Sequence, residues 1–332
     1  MSSSLHWQTE LVRTGVILET ESLSALVIAS QGATIQKLVY KPVDIDILWK
    51  APFGSLTAGQ TYQPDSFTNW CEHWIGGWST IFPNGGDACC YRGIEMGFHG
   101  EAGLLAWSAE DYSRPGWIGA RFKTQGRRSP FKLEKTVSLS LTEPRLEVAE
   151  AIQNVGAEPF EAVWGHHPTF GAPFIDEGCR VLVPADSVVG DEQVGPYSRL
   201  LAGQYRWPDG KTIAGEHLDL SVLPSRKIRS ADLMYLSGLR RGEYRIYNPG
   251  LKLQVTVQWP LDLFPYLWFW QEFGGTVGFP WYGRTYCIGL EPFSAPDARG
   301  LAHAVQTGTA LIFQPGEIKH AVFNIMLQSV NE

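Results

Sequence analysis

Apolar residues recur at every second position over much of this chain, and no stretch holds a helical period beyond a turn or two. Leu133-Glu-Lys-Thr-Val137-Ser-Leu139-Ser-Leu141 and Arg145-Leu-Glu-Val148-Ala-Glu-Ala-Ile152 show the pattern, and Leu23-Ser-Ala25-Leu-Val27-Ile28 introduces it early. Alternation of this kind puts one face of a strand in a core and the other against solvent or polar neighbours. Gly, Pro, Asn and Asp punctuate the runs, as at Asn248-Pro249-Gly250 between Glu243–Tyr247 and Leu251–Trp259, which predicts a hairpin. The expectation is an all-β chain, large enough for two stacked antiparallel sheets. No shift in composition marks a linker, so residues 1–332 read as one domain.

Two segments read differently. Residues 51–90 are rich in Gly, Pro, Asn, Thr and aromatics, and a long irregular segment of that kind is expected to wall a pocket. Asp186 to Asp209 reads as surface loop.

Composition excludes several function classes. A net charge of -7 with no clustered Lys or Arg does not suit a nucleic acid partner. Five cysteines, odd in number and without a CxxC pair, argue against a disulfide framework or structural zinc and suit a reducing compartment. The N-terminus carries no basic region followed by an apolar run, and no apolar stretch approaches the length of a membrane span, so a soluble cytoplasmic protein is expected, without a membrane partner. Thirteen tryptophans, far more than this rarer residue usually contributes, point toward a carbohydrate pocket, because aromatic faces pack on the C–H faces of sugar rings.

The residues able to move protons lie far apart. His166 and His167 are adjacent in a strand-like run, where successive side chains point to opposite faces, so one of the two can enter a given pocket. His99 sits among small residues in Gly97-Phe98-His99-Gly100. Glu291 ends an apolar strand, where a carboxylate is costly to bury unless it is paired or working. Without HxH, HExxH or similar ligand spacing, no metal site is expected. Glycoside hydrolysis would need two carboxylates, for which Glu291 and Asp232 qualify, but it would leave the histidines idle. Proton exchange without a leaving group would use one histidine as acid and one glutamate as base.

Taken in order, these motifs resemble the aldose 1-epimerase (galactose mutarotase-like) superfamily. They are Phe98-His99-Gly100, then His167-Pro168-Thr169-Phe170, then Leu290-Glu291-Pro292-Phe293-Ser294-Ala295-Pro296-Asp297, with Asp232 opening a strand between the last two. The resemblance implies a β-supersandwich and an isomerase that interconverts α and β anomers of a sugar without cofactor or metal. It implies Glu291 as general base at the anomeric hydroxyl, His167 as general acid at the ring oxygen, His99 hydrogen-bonded near that oxygen, and Asp232 on sugar hydroxyls. His166 stands where the family usually has asparagine, and the family's first-loop arginine is absent, with Asn84 near its place. His166, Asn84, Trp268 and Gln271 are the further candidate sugar contacts. Arg92 and Arg284 form no clear phosphate grip, so a neutral sugar is expected rather than a sugar 6-phosphate. A non-catalytic sugar-binding protein and a polysaccharide lyase or hydrolase are the alternatives, since fold does not settle function. The partner expected is a small sugar, and the chain is expected to be a monomer or homodimer.

Overall fold

A computed structural model describes residues 3–9, 14–52, 65–192 and 195–330. Two antiparallel sheets carry the architecture. The larger runs, edge to edge, through Ser4–Thr9, Thr14–Glu19, Leu23–Ile28, Thr34–Tyr40, Trp78–Ile81, Gly165–Gly171, Tyr286–Phe293, Tyr266–Phe273, Ser230–Ser237, Ser187–Gly190 and Gly203–Arg206. The smaller runs through Arg180–Leu182, Glu243–Asn248, Leu253–Gln258, Ile318–Ser329, Arg145–Asn154, Phe131–Ser140, Trp117–Gln125 and Ser108–Asp111. The expected hairpin at Asn248-Pro249-Gly250 is present, with Glu243 opposite Gln258.

Neither sheet follows chain order. In the larger, Tyr286–Phe293 lies between Gly165–Gly171 and Tyr266–Phe273. In the smaller, Ile318–Ser329 lies between Arg145–Asn154 and Leu253–Gln258. Each late strand thus joins two groups of strands made earlier. The inward faces of both sheets meet in a core that includes Trp78, Trp164, Phe264 and Phe323, whose rings pack edge-on or tilted against one another.

Elements also form where alternation gave no sign of them. Within 51–90, Ser66–His73 is a helix and Trp78–Ile81 a core strand. Asp65 caps the helix by accepting from the Thr68 N–H at 2.8 Å, a typical way of satisfying a free N-terminal donor. Two turns are too short to display a period. Gly300–Gln306 forms a second short helix. The 186–209 stretch holds two short strands that pair with each other at the edge of the larger sheet. No helix among the described residues is long and apolar enough to cross a membrane.

The core contains a charged cluster. Lys135 alternates in phase with Leu133 and Val137, so its side chain points inward, where it is 1 % exposed. Its Nζ lies 3.2 Å from Glu150 Oε1. Glu150 also accepts hydrogen bonds from the Thr80 hydroxyl and the Trp164 indole N–H. His166 Nε2 approaches Glu150 Oε2 to 3.2 Å, while the Trp78 indole N–H donates to His166 Nδ1 at 2.9 Å. Burial alone would neutralise Glu150, but His166 and Lys135 outweigh it and draw its pKa down to about 2. Removing one member of a buried pair strands the other, at a cost of about 3–5 kcal/mol. Lys135→Met is therefore expected to lower the unfolding free energy by about that much, read from denaturant midpoints at an unchanged m-value.

Candidate active site

The strand Gly165–Gly171 separates the two histidines by its pleat. His166 turns toward the smaller sheet and rests against Phe323, with ring centroids 3.9 Å apart. His167 turns to the opposite face of the larger sheet. There the Cα register of the neighbouring strands sets Glu291 beside Trp268, and Gly289 beside Trp270. A cavity of about 410 Å³ opens over this face. His99, His167, Glu291 and Trp268 all line it.

His167 Nε2 lies 3.4 Å from Glu291 Oε1. His167 Nδ1 is 3.0 Å from the Thr169 hydroxyl, one pleat along the same face, which leaves Nε2 to Glu291 and the cavity. Glu291 curls back over Gly289, where a Cβ would come 2.3 Å from Oε1. Only glycine leaves room for the carboxyl group at that position. Burial raises the pKa of Glu291 well above the usual carboxylate range, and it lowers that of His167 to about 3. Burial thus favours the uncharged form of both groups.

His99 arrives from a tight turn in which its own φ is 57° and that of Gly100 is 72°. Its N–H donates to Gly86 O at 3.0 Å, and the Gly86 N–H donates back to His99 Nδ1 at 3.1 Å. The Nδ1 atom is therefore an acceptor, and the ring proton sits on Nε2 toward the cavity. Gly86 cannot be replaced without moving the turn, since a Cβ there would meet Ala298 O at 1.8 Å. Burial, and to a lesser degree His167, lower the pKa of His99 well below its ordinary value. The rings of His99 and His167 stand edge to face with centroids 5.4 Å apart.

Aromatic rings enclose these groups. Trp70 packs on His99 and Trp74 on His167, at 5.0 and 4.7 Å between centroids. Both come from the helix Ser66–His73 and its C-terminal cap. Trp270 and Trp281 complete that wall, 5.8 Å apart. Trp268 lies flat on Phe293 at 3.5 Å and donates its indole N–H to Ala295 O. The 51–90 segment, expected to wall a pocket, contributes Phe67, Trp70, Trp74, Gly86 and Asp87, while its residues 53–64 lie outside those described.

Three sequence candidates for sugar contact, His166, Asn84 and Gln271, do not line the cavity, which corrects their reading, and a fourth, Asp232, lines it with its carboxylate engaged by protein groups. His166 is sealed in the core with Glu150 and Trp78. Asn84 ties loops together, donating to Asp87 O and Gly97 O and accepting from the Leu301 N–H at 2.6 Å. Asp232 borders the cavity, but its carboxylate accepts from Ser198 Oγ and from the N–H groups of Arg199 and Leu200. Gln271, opposite Asp232 in register, accepts from the Arg199 guanidinium at 2.8 Å. Asn84 and Asp232 thereby hold backbone around the cavity, and Gln271 holds the Arg199 side chain. Conversely, Asp87, Asp191, Glu272, Trp270 and Trp281 line the cavity without having been singled out as contacts. Period two from Trp268 does signal Trp270 and Glu272. Among the described residues no three His, Cys, Asp or Glu side chains are grouped to hold a metal ion.

Residues 13–195, more than half of the chain, match the family described as a domain of unknown function, DUF4432. The chain belongs to that family. No curated protein matches the DUF4432 chain in sequence. Solved structures do match it in fold. A Klebsiella pneumoniae protein described as a "putative aldose 1-epimerase" superposes with a TM-score of 0.77 at 14% identity, covering 98% of this chain and 84% of that one. A galactose mutarotase-like protein from Clostridium acetobutylicum gives 0.69 at 15% identity, with 99% of both chains covered. Another from Lactobacillus casei gives 0.63 at 18%, covering 95% of this chain and 100% of that one. At such identities the likeness is one of fold, and the DUF4432 chain has the galactose mutarotase-like β-sandwich fold that its ordered motifs resemble.

The buried carboxyl of Glu291 has a consequence for stability. The unfolded chain releases that proton above about pH 4.5, whereas the folded chain keeps it, so folding stability falls as pH rises through that window. Glu291→Gln removes the penalty. The variant is expected to be more stable than the parent by a margin that grows by about 1.4 kcal/mol per pH unit above pH 4.5 until the folded pKa is reached. Denaturant unfolding at a series of pH values measures that slope, and a pH-independent difference would contradict it.

Proposed function

We propose that this protein is an isomerase of the aldose 1-epimerase type, opening and closing the ring of a sugar. The observation that carries the reading is the pair His167 Nε2 and Glu291 Oε1, 3.4 Å apart in one aromatic cavity with His99. Ring opening takes a proton from the anomeric hydroxyl O1 and gives one to the ring oxygen O5. Glu291 as carboxylate takes the first, and the C1–O5 bond breaks as C1–O1 becomes a carbonyl. The electron pair left on O5 takes a proton from the His167 imidazolium. Rotation about C1–C2 and reversal of the same transfers close the ring on its other face.

The electrostatics support this sequence of events. The ionised pair and the neutral pair hold the same single proton and differ only in where it sits. Sugar hydroxyls donating to Glu291 favour its carboxylate and bring the ionised form within reach. Once the ring is open, Glu291 and His167 are both neutral, which is the state that burial already prefers. The site is thereby matched to the open-chain stage rather than to the closed sugar, as differential binding requires. His99, with its proton on Nε2, supplies a fixed hydrogen bond to a sugar oxygen. The tryptophan faces supply the apolar contact for the pyranose C–H groups.

The decisive experiment follows the optical rotation of freshly dissolved α-D-galactose and α-D-glucose. The parent protein is expected to hasten the drift to equilibrium, and Glu291→Gln or His167→Asn to reduce kcat/KM by about 10²–10⁴-fold. If neither hexose nor a wider panel of sugars responds to the parent protein, while tryptophan fluorescence still reports binding, the non-catalytic sugar-binding reading replaces this one.

The pH profile follows from the same pair. A second proton on the pair requires protonating His167, whose pKa is lowered to about 3. Removing its one proton requires ionising Glu291 against burial. We expect kcat/KM to show no inflection at the ordinary histidine value near 6.5 and to fall on the acid side only toward pH 3. An acid limb centred near 6.5 would place an exposed, ordinary histidine in the rate law instead.

A further inference from the structure

The mouth of the cavity is negatively charged in a way the ring chemistry does not use. Besides Glu291, whose neutral form burial favours, the lining contains among the described residues Asp87, Asp191, Asp232 and Glu272 against a single arginine, Arg299. That arginine is committed, since its guanidinium lies 2.6 Å from Asp297. The charge of Asp232 is met by Arg199. Glu272 accepts from the Thr276 N–H and hydroxyl, and Asp191 accepts from the Tyr235 hydroxyl. Asp87 differs. It is exposed at the mouth, and its carboxylate has no hydrogen bond or ion-pair partner among the described residues. Partial burial and the neighbouring charges of Asp191 and Asp297 raise its pKa. With Asp297 already met by Arg299, the repulsion left is that of Asp191 on Asp87, and a cation beside Asp87 would relieve it.

The same cavity carries an unsatisfied donor. His99 is 6 % exposed, and the Nε2 proton fixed by the Gly86 N–H meets no partner among the described residues. The cavity therefore offers a hydrogen-bond donor and the Glu291–His167 pair at one place, and an uncompensated negative charge at its mouth. Both histidines are held uncharged by burial, so neither offsets that charge.

We propose that the cavity selects a sugar bearing a protonated amino group, with Asp87 meeting the ammonium, and that it turns away sugar phosphates. This rests on the reading of the cavity as a sugar site. An ammonium gains from the carboxylates at the mouth, a neutral hydroxyl at the same position gains only a hydrogen bond, and a phosphate is repelled.

The test uses the whole chain and three pairs of probes: D-galactosamine and D-glucosamine, D-galactose and D-glucose, and the two hexose 6-phosphates, at a pH where the amines are protonated. Tryptophan fluorescence reports affinity, and NMR exchange between anomers reports turnover. The amino sugars are expected to bind about fivefold more tightly than their parents and the phosphates at least about fivefold more weakly, with both gaps narrowing in high salt. Asp87→Asn should at least halve the ratio of amino-sugar to parent-sugar affinity. Glu134→Gln, which removes the same charge from the outer face of the smaller sheet, should leave that ratio in place. The proposal is overturned if phosphates bind as well as the parent hexoses, if the ratio ignores Asp87→Asn, or if none of the probes binds. Failure of the epimerase reading looks different: the affinity ranking persists while no sugar shows accelerated anomer exchange.

Discussion

Taking a carboxyl group out of water is costly unless a charge or several hydrogen bonds meet it, and this fold does so on both sides of one strand. Glu150 is met by Lys135, by Thr80 and Trp164, and by His166, and it stays ionised. Among the described residues Glu291 is met by His167 alone, at a distance longer than a good hydrogen bond, and burial favours its neutral form. Consecutive histidines thus face two carboxylates of opposite character, and the pleat of a single strand keeps them apart. The first pair contributes to the core. The second is left under-satisfied, which is what a group that must exchange protons with a ligand requires.

That asymmetry explains several choices around the cavity. Lys135 brings a permanent charge to Glu150 but points away from Glu291, and the one arginine lining the cavity among the described residues, Arg299, is committed to Asp297. Tryptophan rings exclude water from the pair without offering it hydrogen bonds. Gly289 gives the Glu291 side chain the space to fold back on its own strand, and Gly86 lets a neighbouring loop press close enough to hold His99 through its backbone. Each of these is a local concession that suits the proposed ring opening and would be hard to justify for stability.

Much of this was legible in the residues alone. Alternation identified the principal strands of both sheets, and the ordered motifs named His99, His167 and Glu291, which the fold brings to one cavity. Alternation alone could not say which of His166 and His167 entered the cavity, because that depends on which sheet covers which face. Asn84 and Gln271 were misread for a different reason. Their sequence context shows a polar residue in an apolar strand or a glycine-rich loop, and such residues serve ligands or backbone equally well. Only the positions of Leu301 and Arg199, remote in the chain or on another loop, decide between the two. The inward phase of Lys135 was visible in its strand, though its partner Glu150, fifteen positions on in the neighbouring strand, was not.

The order of strands in the two sheets bears on how the molecule can assemble. Tyr286–Phe293 joins the two groups of strands in the larger sheet, and Ile318–Ser329 does the same in the smaller. Until the ribosome has made them, the strand bearing His167 and the strand bearing Trp268 have no common neighbour, and four strand edges stand open. Contacts so distant in sequence form slowly, because the loops they close are long. The strand that supplies the carboxyl group is also the one that closes the larger sheet, so a nascent chain cannot hold a finished cavity before its larger sheet is continuous.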